Sequence, residues 1–126
     1  MEQLSTSSYK DLRVWRESHS LVLSVYALSK HFPKEEYFAL LTQIRRAVVP
    51  ITSNIAESYG RRTYKDKAHF LQIALGSLYE VENQLLISKD LLYISELDFS
   101  LVEQKITLVS KLLHGIIKST NNLKEL

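Results

Sequence analysis

The sequence predicts an all-α protein, an antiparallel up-down-up-down four-helix bundle, and three observations carry that prediction. Two prolines and three glycines in 126 residues leave little punctuation for a β-rich chain. Apolar residues recur at steps of three and four over four long stretches, the period of helices with one buried face. The segments between them are short, which favours antiparallel neighbours. A chain of this length buries a real core as one domain, residues 1–126, with frayed tails expected at 1–9 and 121–126.

Asp11 is placed to cap a first helix running to about His31. Leu12, Trp15, Val22 and Tyr26 form one stripe on it, with Val14, Leu21, Val25, Leu28 and Phe32 alongside. Phe32-Pro33 ends it, because proline disfavours helix at the preceding residue and has no N–H. Glu35 and Glu36 suit the positive end of a second helix. Its seam is Tyr37, Leu41, Ile44, Val48, Ile51 and Ile55. Pro50 lies inside that seam, and its missing N–H leaves the Arg46 carbonyl free, so a kink is expected there.

Gly60 is a C-cap candidate, and Thr63-x-x-Asp66 resembles a capping box for a third helix from about Tyr64 to Leu92. Leu71, Ala74, Leu78, Val81, Leu85 and Leu92 make its seam. Gly76 costs about 1 kcal/mol relative to alanine in mid-helix, which suggests that a backbone or a ring approaches there. Asp98 is expected to cap a fourth helix to about Ser119, with Phe99, Val102, Ile106, Val109, Leu113 and Ile116 inward.

Composition narrows the function. With no cysteine, disulfides, thiolate metal sites and cysteine nucleophiles are excluded, which fits a cytoplasmic protein. No apolar run approaches the roughly 20 residues that span a bilayer, so no membrane role is expected. A formal charge of +2 is small, but all the arginines (13, 16, 45, 46, 61 and 62) lie in the first half. Arginine pairs bidentately with carboxylate or phosphate, so this clustering fits either ion pairs or a phosphate-binding surface.

Enzyme chemistry finds little footing. A di-iron bundle needs two Glu-x-x-His pairs with two further carboxylates, and the nearest fragment is Asp66-x-x-His69, once. His19 and His114 read as interface or partly buried residues, and His31 and His69 as surface ones. There is no G-x-S-x-G elbow and no glycine-rich phosphate loop. Glu57, Glu80 and Glu82 are not gathered by any pocket signature. No catalytic residue, metal, cofactor or small-molecule substrate is therefore expected.

The stretch from Gln43 to Arg62 carries more polar chemistry than packing requires. Arg46, Ser53 and Glu57 fall on one helix face, and Asn54 borders the core seam. With Glu80 on the third helix they are candidates for a polar network between helices or subunits, which would fix register as a buried coiled-coil asparagine does. Arg45, Arg46, Arg61, Arg62 and Lys65, interleaved with Tyr59 and Tyr64, are candidates for a nucleic-acid surface combining cation and ring. The alternative is a protein-binding scaffold in which these arginines hold subunits together.

The segments YKDLRVW (Tyr9 to Trp15), HFPKEE (His31 to Glu36), QIRRA (Gln43 to Ala47), SNIAE (Ser53 to Glu57), Gly60-Arg61 and GSLYEVE (Gly76 to Glu82) recur here in order. Together they resemble the bacterial four-helix-bundle proteins encoded by intervening sequences within 23S ribosomal RNA genes, often labelled ribosomal-protein-like. The resemblance spans about residues 9 to 115. It implies an up-and-down bundle assembled as a homopentameric ring. It also implies kinship with accessory proteins of diversity-generating retroelements, basic pentamers that bind nucleic acid and a reverse transcriptase. No catalytic residues follow from it. Many members read SIPSNIAEG, whereas here Thr52 precedes Ser53, Pro50 stands three positions before it, and Ser58 follows Glu57. The moved proline shifts the expected kink by about half a turn.

Overall fold

The computed structural model describes residues 8–124. Among them are four α-helices and no strand: α1 (Arg13–Ser29), α2 (Leu40–Tyr59), α3 (Tyr64–Asp90) and α4 (Glu96–Lys124). Each helix packs on its two neighbours in the order α1–α2–α3–α4–α1, and among the described residues the backbones of the diagonal pairs do not come close. Side-chain pairings give the sense of the chain. Lys89 lies over the Phe99 ring while Tyr79 reaches His114, so α3 and α4 run antiparallel. This is the up-down-up-down bundle, with α2 and α3 sharing the most extensive contact.

The seams expected on α2 and α4 form the core. Leu41, Ile44, Val48, Ile51 and Ile55 are buried against Leu71, Leu78, Val81 and Leu85 of α3. Val102, Ile106, Val109, Leu113 and Ile116 complete it from α4. Burying one such side chain is worth about 1.5–3 kcal/mol, so these seams hold the fold. On α1 the inner stripe is Leu12, Val14, Leu21, Val25 and Leu28, while Trp15 and Val22 are partly buried and Tyr26 is exposed.

Helix ends depart from expectation for local reasons. Asp11 does not cap α1; it closes a 3-10 turn (Tyr9–Asp11) whose cap is Ser8, and buried Leu12 occupies the N-cap position of α1. Glu35 and Glu36 fall in a separate 3-10 turn (Lys34–Glu36), and α2 starts only at Leu40 because Ala39 breaks the backbone at φ −123°, ψ −106°. Tyr37, assigned to the α2 seam, is consequently exposed. Ser95, not Asp98, caps α4: its Oγ accepts the Asp98 N–H at 3.0 Å. That helix continues through Asn121 to Lys124, where a frayed tail was expected, because Thr120 carries the buried face beyond Ser119.

The tail expected at 1–9 lies outside the described residues as far as residue 7, as do residues 125 and 126 of the other. Gly60 and Thr63 behave as the sequence indicates: the Gly60 N–H closes on Ala56 and Glu57 carbonyls, and Thr63 Oγ1 accepts from Asp66 at 3.1 Å. Leu92 is not a seam residue. It is 88% exposed at φ 67°, the left-handed position of a Schellman closure in which Tyr93 N–H reaches Ser88 O and Leu92 N–H reaches Lys89 O. Ile94 takes the buried place instead. Gly76 is exposed, and no neighbouring atom lies within 4 Å of where its Cβ would stand, so no ring or backbone of this chain requires it.

Candidate nucleic-acid interface

The predicted arginine cluster is divided by the helix that carries it. About 21 Å of helical rise separates Arg45 from Tyr59, the last residue of α2, and Arg61 lies beyond it. That exceeds the screening length of about 10 Å at 0.1 M salt, so the two groups act separately.

At the start of α2, Arg45 is half-buried and held by neutral partners. Its Nη2 donates to Ser29 Oγ at 2.9 Å, and Ser29 donates in turn to the Tyr26 carbonyl at 2.7 Å. The guanidinium carbon stands 5.0 Å from the centre of the Tyr26 ring, a cation–π contact. Its Nε is buried without a hydrogen-bond partner. The next residue, Arg46, is exposed and makes no ion pair or hydrogen bond among the described residues. Two cavities, of about 460 and 490 Å³, meet at Arg45 and Thr42. Lys30, Tyr37 and Phe38 line the first and Tyr26 and Arg46 the second, and neither is lined by a carboxylate.

The end of α2 is built differently. Arg61 pairs with Glu57 at 3.3 Å, both largely exposed, and its guanidinium lies 4.5 Å from the Phe70 ring centre. An exposed i,i+4 pair of this kind is worth about 0.3–0.5 kcal/mol. Arg62, Tyr64 and Lys65 are exposed. Lys67, which the sequence reading passed over, reaches back so that its Nζ donates to the carbonyls of Tyr59 at 3.1 Å and Ser58 at 3.4 Å. Ser58 is buried and returns a bond from Oγ to the Lys67 carbonyl. Burial of the Lys67 ammonium lowers its pKa from the usual lysine value.

The polar network expected from Arg46, Ser53, Asn54, Glu57 and Glu80 does not form between helices among the described residues. Ser53 donates to the Val49 carbonyl and Asn54 to the Pro50 carbonyl at 2.8 Å, both on α2 itself. Glu57 turns to Arg61, and Glu80 accepts from Gln84 on its own helix at 3.4 Å. These side chains lie toward the rim, where the adjacent turn is nearer than the neighbouring helix. Short polar side chains in a helix can bond the carbonyl one turn back in this way.

The histidines are likewise scattered. His19 and His114, expected at an interface or partly buried, are exposed in the single chain, His19 stacking on Trp15 at 4.8 Å and His114 meeting the Tyr79 hydroxyl at 3.1 Å. Among the described residues no three His, Asp or Glu side chains gather in a way that could hold a metal. None of the helices is long and apolar enough to cross a membrane, again among the described residues.

The model of the 23S rRNA-intervening sequence protein family matches residues 10–115. The chain belongs to that family. A solved structure agrees: a protein of unknown function from the S23 ribosomal protein family of Bacteroides thetaiotaomicron VPI-5482 is 28% identical, with a TM-score of 0.77, covering 83% of this chain and 95% of that one. No curated protein matches the sequence. In this family member, the residues that the sequence reading missed are Tyr26, Tyr37, Phe38 and Lys67. Phe38 alone left a signal, an aromatic outside every helical seam.

Proposed function

We propose that this 23S rRNA-intervening sequence protein is a non-enzymatic, cytoplasmic, homo-oligomeric module that binds RNA or a ribonucleoprotein partner through its basic surface. One observation carries the reading. Among the described residues, Arg45, Arg46 and Arg62 have no carboxylate partner, and only Arg61 is paired. Had all four been ion-paired, the phosphate-binding surface would have been lost. Support for self-association comes from elsewhere on the surface. Leu23, Leu97 and Leu101 are exposed at 58%, 68% and 51%. Gly76 and Gly115, exposed in mid-helix with open space around them, have no packing reason within one chain. A ring of copies would repeat each basic patch and raise a weak affinity by multivalency.

Filter binding of RNA across a salt series tests the reading, with the mass in solution measured by light scattering. RNA affinity falling steeply with salt, by a slope of about 0.7 per single-strand phosphate contact, is the expected result. A protein that retains no RNA at low salt is the contrary one. The second reading, a protein-binding scaffold, is favoured by the α1–α4 groove of about 600 Å³, where Ala27, Leu101 and Leu108 lie between Glu17 and Asp98.

A further inference from the structure

Phe38 is 97% exposed, an extreme value for a large apolar side chain in a protein with an ample core. It sits on the short segment before α2 and lines the cavity that also holds Tyr37, Lys30 and Arg45. Packing does not account for it, since Leu41 and Ile44 supply the seam of this helix. Its neighbourhood gives it a use. Arg45 spends one of its five N–H donors on Ser29, and its buried Nε has no acceptor within the protein. Tyr26 adds a hydroxyl, Arg46 and Lys30 add charge, and no carboxylate lines either cavity, while the Ser29 and Thr42 hydroxyls already donate to the Tyr26 and Tyr37 carbonyls. Ala39 offers α2 no side-chain cap, which leaves the positive end of the helix on the same side as Thr42.

We infer that the corner between α1 and α2 is a pocket for one unpaired ribonucleotide: its base stacks on Phe38 and Tyr37, and its phosphates lie on Arg45 and Arg46. The inference rests on the RNA reading above and narrows it from charge to a stacking site. A base has a free face for an aromatic ring only when it is out of a duplex, so the pocket selects single strands. An acidic peptide would satisfy the arginines but would leave Phe38 without a planar partner.

The test uses a labelled 12-nucleotide oligouridylate and a 12-base-pair RNA duplex against wild type, Phe38→Ala and Arg46→Ala. Because Phe38 is almost wholly exposed, its removal leaves the core intact. Loss of one stacked base, worth about 1–3 kcal/mol, weakens the single strand by about 5- to 150-fold. Phe38→Ala should do this without altering the salt slope and without affecting the duplex. Arg46→Ala should weaken both ligands and lower the slope by about 0.7. Normal oligouridylate binding by Phe38→Ala, with loss in Arg46→Ala, overturns the pocket and keeps the RNA reading. No binding of either RNA by wild type overturns both. Polyglutamate displacing oligouridylate with equal potency, or Phe38→Ala reducing the mass in light scattering, also overturns it, by assigning Phe38 to a peptide or to a subunit contact.

Discussion

The two ends of α2 carry the same residue type in opposite conditions. At its end, the backbone is closed from several sides: the Gly60 and Arg61 N–H groups bond back to the last turn, Lys67 Nζ adds the Ser58 and Tyr59 carbonyls, and Glu57 engages Arg61. At its start, no side chain caps the helix, Arg45 has a buried N–H without an acceptor, and an aromatic ring stands in solvent. The difference teaches that a cluster of arginines in sequence is not one site. Charges whose bonds are already made serve the fold, and those left with unused donors are available to a ligand.

The largest expected effect separates the two ends by binding. Removing two single-strand phosphate contacts lowers the salt slope by about 1.4, which at 0.1 M salt is about 25-fold in affinity. Arg45→Ala with Arg46→Ala should show that loss in filter binding. Arg61→Ala with Arg62→Ala should lose about 5-fold, because Arg61 is already occupied by Glu57. Equal losses would erase the contrast.

Stability should show the reverse asymmetry. Lys67→Met removes hydrogen bonds to two helix-terminal carbonyls, whose worth is partly offset by the desolvation of the ammonium, and should cost about 1 kcal/mol in urea unfolding, whereas Arg46→Met should cost less than about 0.5. The end of α3 offers a smaller check on the same principle of closure. Leucine in a left-handed position costs about 1 kcal/mol or more relative to glycine, so Leu92→Gly, which loses little packing, should stabilise by about 1 kcal/mol.

The smallest effect is in pH. Burial lowers the Lys67 pKa in the folded state, so between that value and 10.5 the unfolded chain binds more protons than the folded one. Stability contributed by this group therefore rises with pH through that window. Urea midpoints of wild type and Lys67→Met measured up to pH 10.5 should diverge in favour of wild type as the window is crossed; parallel curves would remove the shift.

The bundle was legible because its evidence is periodic. Ile44, Val48, Ile51 and Ile55 repeat at helical spacing, and each is buried as that spacing requires. The site was only partly legible because its geometry is not periodic. Arg45 and Tyr26 lie nineteen positions apart, and nothing in either residue announces that one stacks on the other. Lys67 reads as one more surface lysine until the turn at Gly60 brings it back over the last carbonyls of α2. The polar stripe of Ser53, Asn54 and Glu57 was visible, but its partners were not: one-turn-back bonds on α2 compete with bonds across helices, and sequence spacing does not say which is nearer.

RNA is thus expected to be held chiefly at the open start of α2 and only weakly at its closed end. Ultraviolet crosslinking of oligouridylate to the intact protein, with the attached peptide mapped by mass spectrometry, tests it most directly. Crosslinks are expected at Tyr26, Tyr37 or Phe38. Crosslinks confined to Tyr59 or Tyr64 would contradict it.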